Sequence, residues 1–186
     1  MDCHLTEHLT EHQVSSETIA AGGMLHVKRD QVRLPNGNLA QREYVLHPGA
    51  VVVVPLLANG HVILERQFRY PLQRVFIELP AGKIDANEDI LVTGQRELLE
   101  ETGFTASNWQ SLGHQHPCIG YANEVIYMYL ARGLQAGNKN LDSDEHLEVF
   151  DLPFAQCLAM ITNGEITDGK TIIALLMAEK FLQTHG

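Results

Sequence analysis

The chain has 186 residues, enough for one well-buried domain with a small appendage, and is 45% apolar and 19% charged, the balance of a soluble globular protein. No apolar run approaches the ~20 residues a bilayer span needs, which argues against a membrane partner. A formal net charge of -10 disfavours nucleic acid and anionic lipid as partners, but it admits an anionic small substrate reached through bridging cations and a few local arginines.

In chain order, residues 1–16 read as a flexible tail. Its repeat, Leu5-Thr6-Glu7-His8 then Leu9-Thr10-Glu11-His12, would align His4, His8 and His12 on a helix, but nothing nearby supplies the second shell of a transition-metal site. The stretch is polar and acidic, unlike a signal or transit peptide, so a cytoplasmic location is the default expectation. Cys3, Cys118 and Cys157 are odd in number and widely spaced, as expected of reduced thiols rather than a disulfide framework or a zinc site.

Residues 17–48 read as a β extension, with strands near 25–33 and 39–46 around the turn signal Pro35-Asn36-Gly37. The run AVVVVPLL, residues 50–57, predicts a strand buried on both faces, and Asn59-Gly60 predicts a tight turn into a second hairpin of the main sheet. Further strands are expected at 75–79, 109–117, 125–131 and 147–150. One helix should run from Asp151 and Pro153 to Asn163-Gly164, and a last one from Thr167 or Asp168 to about Gln183.

The stretch GKIDANEDILVTGQRELLEETGF, residues 82–104, carries the chemistry. Glu97, Glu100 and Glu101 stand at i, i+3 and i+4, so on a helix three carboxylates share one side and repel. They lie toward the negative end of the helix dipole, a poor place for stability, and a hard cation such as Mg2+ is the simplest compensation. Asp85 or Asn87 is expected to cap this helix, Glu88 and Asp89 to sit in its first turn, and Gly103 to end it. Arg96, one turn before Glu100, could neutralise Glu88 or Glu100 and leave the other carboxylates for metal.

These residues fill every specified position of Gly-x5-Glu-x7-Arg-Glu-U-x-Glu-Glu-x-Gly-U, with U a bulky apolar residue, and so resemble the signature of the Nudix hydrolases. Chance would produce such a match on the order of once per billion starting positions. Arg42-Glu43, Gln67-Phe68-Arg69, Glu78-Leu79-Pro80-Ala81-Gly82, Pro117 and Asp168-Gly169-Lys170-Thr171, in that order, are similar to the bacterial ADP-ribose pyrophosphatases, which cut ADP-ribose to AMP and ribose 5-phosphate.

The resemblance implies an α/β Nudix fold, a mixed β-sheet sandwiched between helices, with an N-terminal antiparallel hairpin or sheet extension and a hydrolase domain over 49–186. It implies Mg2+, with Mn2+ as substitute, held by the Ala81 carbonyl, Glu97 and Glu101 with Glu100 joining or supporting. Glu88 would orient Arg96. The base is expected at Glu145, with Asp144 and Asp142 as alternatives. Arg69 would meet the diphosphate, Glu78 the ribose or adenine, and Tyr121 or Phe68 would stack on adenine, with core packing as the other reading of Phe68. In the resembling enzymes the N-terminal hairpin exchanges between subunits, which would carry Arg42 and Glu43 to a partner's nucleotide in a homodimer.

Two other readings stand beside this one. The first is the same reaction on another nucleoside diphosphate sugar. The second is a sensor that binds without catalysis, for which a broken box is expected, whereas Glu97 and Glu101 are both present. Gly94 departs from the alanine that relatives favour and costs roughly 1 kcal/mol of helix propensity.

Overall fold

The computed structural model describes residues 6–137 and 146–185, in two units. The first comprises residues up to His47 together with Cys118–Glu124. It is a three-stranded antiparallel sheet of β1 (His12–Ala21), β2 (His26–Arg33) and β3 (Leu39–Leu46) in that order. The β2–β3 turn closes as the sequence predicts, with Gly37 at φ +87° and its N–H donating to the Leu34 carbonyl. Asp30, buried at the centre, accepts from Gln13 Nε2 at 2.7 Å and from the Tyr44 hydroxyl at 3.0 Å.

β1 has no counterpart among the strands expected from the sequence, and it begins at His12, inside the stretch expected to be a tail. The reason lies in its register. The ladder to β2 skips Val14 and Ile19, the two large apolar residues of the strand, which sit in irregularities that break the two-residue alternation by which a strand is recognised. All ten residues of β1 are exposed.

The second unit comprises Pro48–Pro117 and Val125–Gly186. Its strands are β4 (Ala50–Pro55), β5 (His61–Arg69), β6 (Arg74–Glu78), β7 (Ala81–Lys83), β8 (Phe104–Gln115), β9 (Ile126–Ala136) and β10 (Leu147–Pro153). Its helices are α1 (Ile90–Thr102), α2 (Phe154–Thr162) and α3 (Gly169–His185). One sheet runs β7-β4-β9-β8 and is mixed, because β4 and β9 are parallel; the other runs β10-β5-β6 and is antiparallel.

All of β4 is buried, as its unbroken apolar run predicts. Val51 and Val53 face a core with Leu98 of α1 and Trp109, whereas Val52 and Val54 face a second core with Leu64, Cys157 of α2, and Ala174 and Leu175 of α3. The mixed sheet is thereby sandwiched between helices. Gly94 fits this packing, since a Cβ there would stand 3.1 Å from Val51 Cγ1. No helix among the described residues is long and apolar enough to cross a membrane.

The second hairpin does not form inside one sheet. Asn59-Gly60 does make its turn, with Gly60 at φ +83° and the Asn59 side chain accepting from His61 N–H, but β4 and β5 share only the bridge Leu56 to Val62 before they part. Both edges of β4 are already taken by β7 and β9, so β5 pairs with β10 and β6 instead.

Helix starts differ from expectation at α1 and α2: Asp151, expected to open α2, lies in β10 opposite Ile63, and the helix begins only after Pro153. Asp89, not Asp85 or Asn87, caps α1, its Oδ1 accepting from Leu91 N–H at 2.9 Å. Glu88 therefore precedes the helix and no acidic residue lies in the first turn. Asn87, at φ +66°, belongs to the preceding turn. Gly103 ends α1 at φ 75°, donating to the Leu99 carbonyl, and Asp168 caps α3 through the N–H and hydroxyl of Thr171.

Candidate active site

Four carboxylates gather where α1 meets β7. Arg96 lies among them, with Nε donating to Glu88 Oε1 at 2.9 Å and Nη1 donating to Glu97 at 2.8 Å and to Glu100 at 2.9 Å. The sequence reading gave Arg96 one partner at a time and left Glu97 for metal; here the fork and its edge engage all three, which relieves the like-charge repulsion within the protein itself. Thr93 Oγ1 adds a hydrogen bond to Glu88 at 2.7 Å, a contact that residue spacing alone did not suggest.

Arg96, followed by Thr93, pulls the Glu88 carboxyl down to about 2, and Glu88 above all pushes the Arg96 guanidinium higher still. Glu88 is thus ionised at any working pH and fixed to Arg96.

Glu101 is buried, 3% exposed, and accepts the Ala81 N–H at 2.9 Å. Glu97 lies across Gly82 so closely that a Cβ there would stand 1.8 Å from Glu97 Oε1. This contact explains the box glycine: the space a Cβ would need is held by the Glu97 carboxylate, and the backbone there is not at positive φ. Glu97, Glu100, Glu101 and the Ala81 carbonyl are all hard oxygen donors, the set that suits Mg2+ or Mn2+. With Arg96 among them, no three acidic, imidazole or thiol groups among the described residues converge as a formed metal centre.

The link leading into this cluster is pinned by the start of α3. Leu79 N–H donates to Thr171 Oγ1 at 2.9 Å, a buried contact between the β6–β7 link and the start of α3. Replacing Thr171 by valine keeps the shape and strands the Leu79 N–H, so a stability loss of about 1 to 3 kcal/mol is expected in urea unfolding, with lower activity because Ala81 and Gly82 follow directly in the chain.

Arg69 and Glu78, assigned from the sequence to separate parts of a substrate, pair with each other. Arg69 Nε and Nη2 clasp Glu78 at 2.7 and 2.8 Å, and Lys170 Nζ also donates to Glu78 Oε2. Glu78 is 2% exposed; burial alone would raise its pKa, but the Arg69 fork and Lys170 outweigh it and hold it below the usual range. Phe68 is half exposed on β5 and therefore does not fill the core.

In the N-terminal unit, Arg42, Glu43 and Tyr121 line one cavity of about 240 Å3. Arg42 there pairs with Glu11, Glu43 with Arg29, and the Tyr121 hydroxyl accepts from Cys118 Sγ. Glu145, Asp144 and Asp142 lie outside the described residues.

Lys170 and Thr171, part of the Asp168-Gly169-Lys170-Thr171 stretch, are site residues to which the sequence assigns no role. A signal for Lys170 was present: a lysine in the first turn of a helix opposes the dipole, which suggests a fixed acidic partner elsewhere.

The NUDIX domain family model matches residues 46–174. The ADP-ribose pyrophosphatase of Bacillus subtilis (strain 168) is 36% identical over 169 residues, spanning 90% of this chain and 91% of that protein. The methanol dehydrogenase activator of Bacillus methanolicus is 36% identical over 167 residues, spanning 89% and 90%. Among solved structures, that of an ADP compounds hydrolase superposes with a TM-score of 0.86 over 96% of this chain and 97% of that one; at 23% identity this likeness speaks to the fold.

Proposed function

This chain belongs to the Nudix hydrolase family, and from that premise we propose that it hydrolyses the diphosphate of ADP-ribose to AMP and ribose 5-phosphate. The observation that carries the reading is the complete box assembled where α1 meets β7, with Glu97 laid over Gly82, Glu101 on the Ala81 amide, and Arg96 locked by Glu88. The choice of ADP-ribose leans on the relative of that name.

Mg2+, with Mn2+ as substitute, would be held by Glu97, Glu100, Glu101 and the Ala81 carbonyl, and when bound it supplies charge stabilisation for the diphosphate oxygens. Glu88 keeps Arg96 in place, and Arg96 in turn orients Glu97 and Glu100. Arg69, whose side chain is 41% exposed at its outer face, offers donors to the diphosphate. Glu78 fixes that fork, besides any contact it makes to the ribose. Glu145 is assigned as the acceptor of the proton from the attacking water.

The N-terminal sheet is assigned to a homodimer. Val14, Ile19, Met24, Leu25, Leu39 and Leu46 are exposed on and beside its strands, apolar side chains of the kind a second copy would cover. Arg42, Glu43 and Tyr121 would then contact the nucleotide held by the other subunit. Light scattering after size exclusion should return twice the monomer mass, and Ile19→Lys should lower it.

The test is incubation with Mg2+ and a panel of ADP-ribose, other nucleoside diphosphate sugars, dinucleotides and nucleoside triphosphates, with products separated by chromatography. AMP and ribose 5-phosphate should form fastest from ADP-ribose and vanish in Glu101→Gln. Faster cleavage of another sugar nucleotide would transfer the assignment to that substrate. Binding without cleavage would make the protein a sensor.

A further inference from the structure

Glu78 carries one negative charge and holds two cations. Both oxygens are clasped by the Arg69 fork, and Oε2, the oxygen that takes Arg69 Nη2, also takes the Lys170 ammonium. The two cations differ in access: the Lys170 side chain is 16% exposed and the Arg69 side chain 41%. An incoming anion therefore meets Arg69, while Lys170 acts behind it through the shared carboxylate.

The surroundings make that second cation consequential. Glu65, buried, stands directly opposite Glu78 in the β5–β6 ladder, and Asp168 Oδ2 lies 3.0 Å from Lys170 Nζ. Two carboxylates and two cations, Glu78 and Asp168 with Arg69 and Lys170, thus line a cavity of about 140 Å3 together with Leu72 and Phe76. That volume is well below the ~300 Å3 at which small-molecule pockets begin, so it suits a phosphate-sized group rather than a nucleoside.

We propose that Lys170 is a positioning and affinity residue for the anionic substrate: by sharing Glu78 it leaves the Arg69 guanidinium incompletely neutralised and so able to engage a diphosphate. This inference rests on the hydrolase reading above. Without Lys170, Glu78 belongs to Arg69 alone, Asp168 loses the ammonium beside it, and the fork meets a phosphate oxygen with its charge already answered. Asp168 works in the opposite sense.

The experiment compares wild type with Lys170→Gln, Lys170→Arg and Asp168→Asn, the last keeping a side-chain oxygen for the α3 cap. ADP-ribose binding is measured by calorimetry in EDTA, and kcat and KM are measured with Mg2+. In Lys170→Gln both Kd and KM should rise about tenfold with kcat within about twofold of wild type. Lys170→Arg should restore most of the affinity, and Asp168→Asn should tighten it. The proposal is overturned if Kd and KM in Lys170→Gln match wild type, if kcat falls while KM holds, or if Lys170→Arg behaves like Lys170→Gln. Should Lys170→Gln fold poorly, Asp168→Asn decides alone, and unchanged or weaker binding there overturns the proposal. A wild type that cleaves while Lys170→Gln matches it sinks this inference only; a wild type that neither binds nor cleaves sinks the hydrolase reading with it.

Discussion

Gly82→Ala is expected to cut kcat/KM by at least about a hundredfold while moving the melting temperature by only a few degrees. A Cβ at residue 82 would lie 1.8 Å from Glu97 Oε1, 2.0 Å from its carboxyl carbon and 2.4 Å from Oε2. Those contacts are far inside van der Waals distance, so the carboxylate must swing away, and in doing so it leaves Arg96 Nη1. The backbone at Gly82 is not in the left-handed region and Glu97 is the far end of a flexible chain, so the fold itself has an easy response. The loss falls on function, because the displaced group is one of the proposed cation ligands. The midpoint for Mg2+ activation should rise in parallel. Full activity in Gly82→Ala would mean that Glu97 need not lie where it does.

Arg96→Met should have the largest effect on stability. It strips the common cation from Glu88, Glu97 and Glu100, leaving three partly buried carboxylates to repel one another, and a loss of about 2 to 3 kcal/mol is expected in urea unfolding. Activity should fall as well, and Arg96→Lys should restore little of either, since one ammonium cannot span three carboxylates as the planar fork does.

The pH dependence has a definite sign. The folded Glu88 pKa is depressed to about 2, below its unfolded value, so its contribution is present above the ordinary carboxylate range. It is lost as the pH falls from about 4.5 towards 2. In Arg96→Met that part of the acid-unfolding slope should flatten, which stability curves at several pH values would reveal.

How far residues alone lead is shown by these same groups. The box, its helix and Gly103 were legible because each is a local pattern: spacing, periodicity and a stop residue. The cap at Asp89 is not legible because three capable residues, Asp85, Asn87 and Asp89, precede the helix, and which of them accepts from the first-turn N–H groups depends on where the folded helix begins. The pairing of Arg69 with Glu78 was hidden for a different reason. Both look like lone functional charges in the sequence, while the register that sets β5 against β6, and the start of α3 that delivers Lys170, are products of the fold. The split of β5 from β4 was equally out of reach, since it depends on β7 and β9 having claimed both edges of β4.

The burial of β4 on both faces bears on how the chain finds its place. In most strands a slip of one residue turns the apolar face to water, and that penalty enforces alignment. Here a slip would exchange valine for valine between the two cores, so the middle of the strand is nearly blind to its own position. Alignment must be enforced at the ends: at Gly49, whose φ of +95° and crowding by Ile84 and the Val125 carbonyl fit no bulkier residue, and at Pro55, which has no N–H to offer a ladder. Gly49 and Pro55 are thus the detents of an otherwise sliding strand, and substitutions there should show as misfolding during synthesis or refolding more than as weakness of the finished protein.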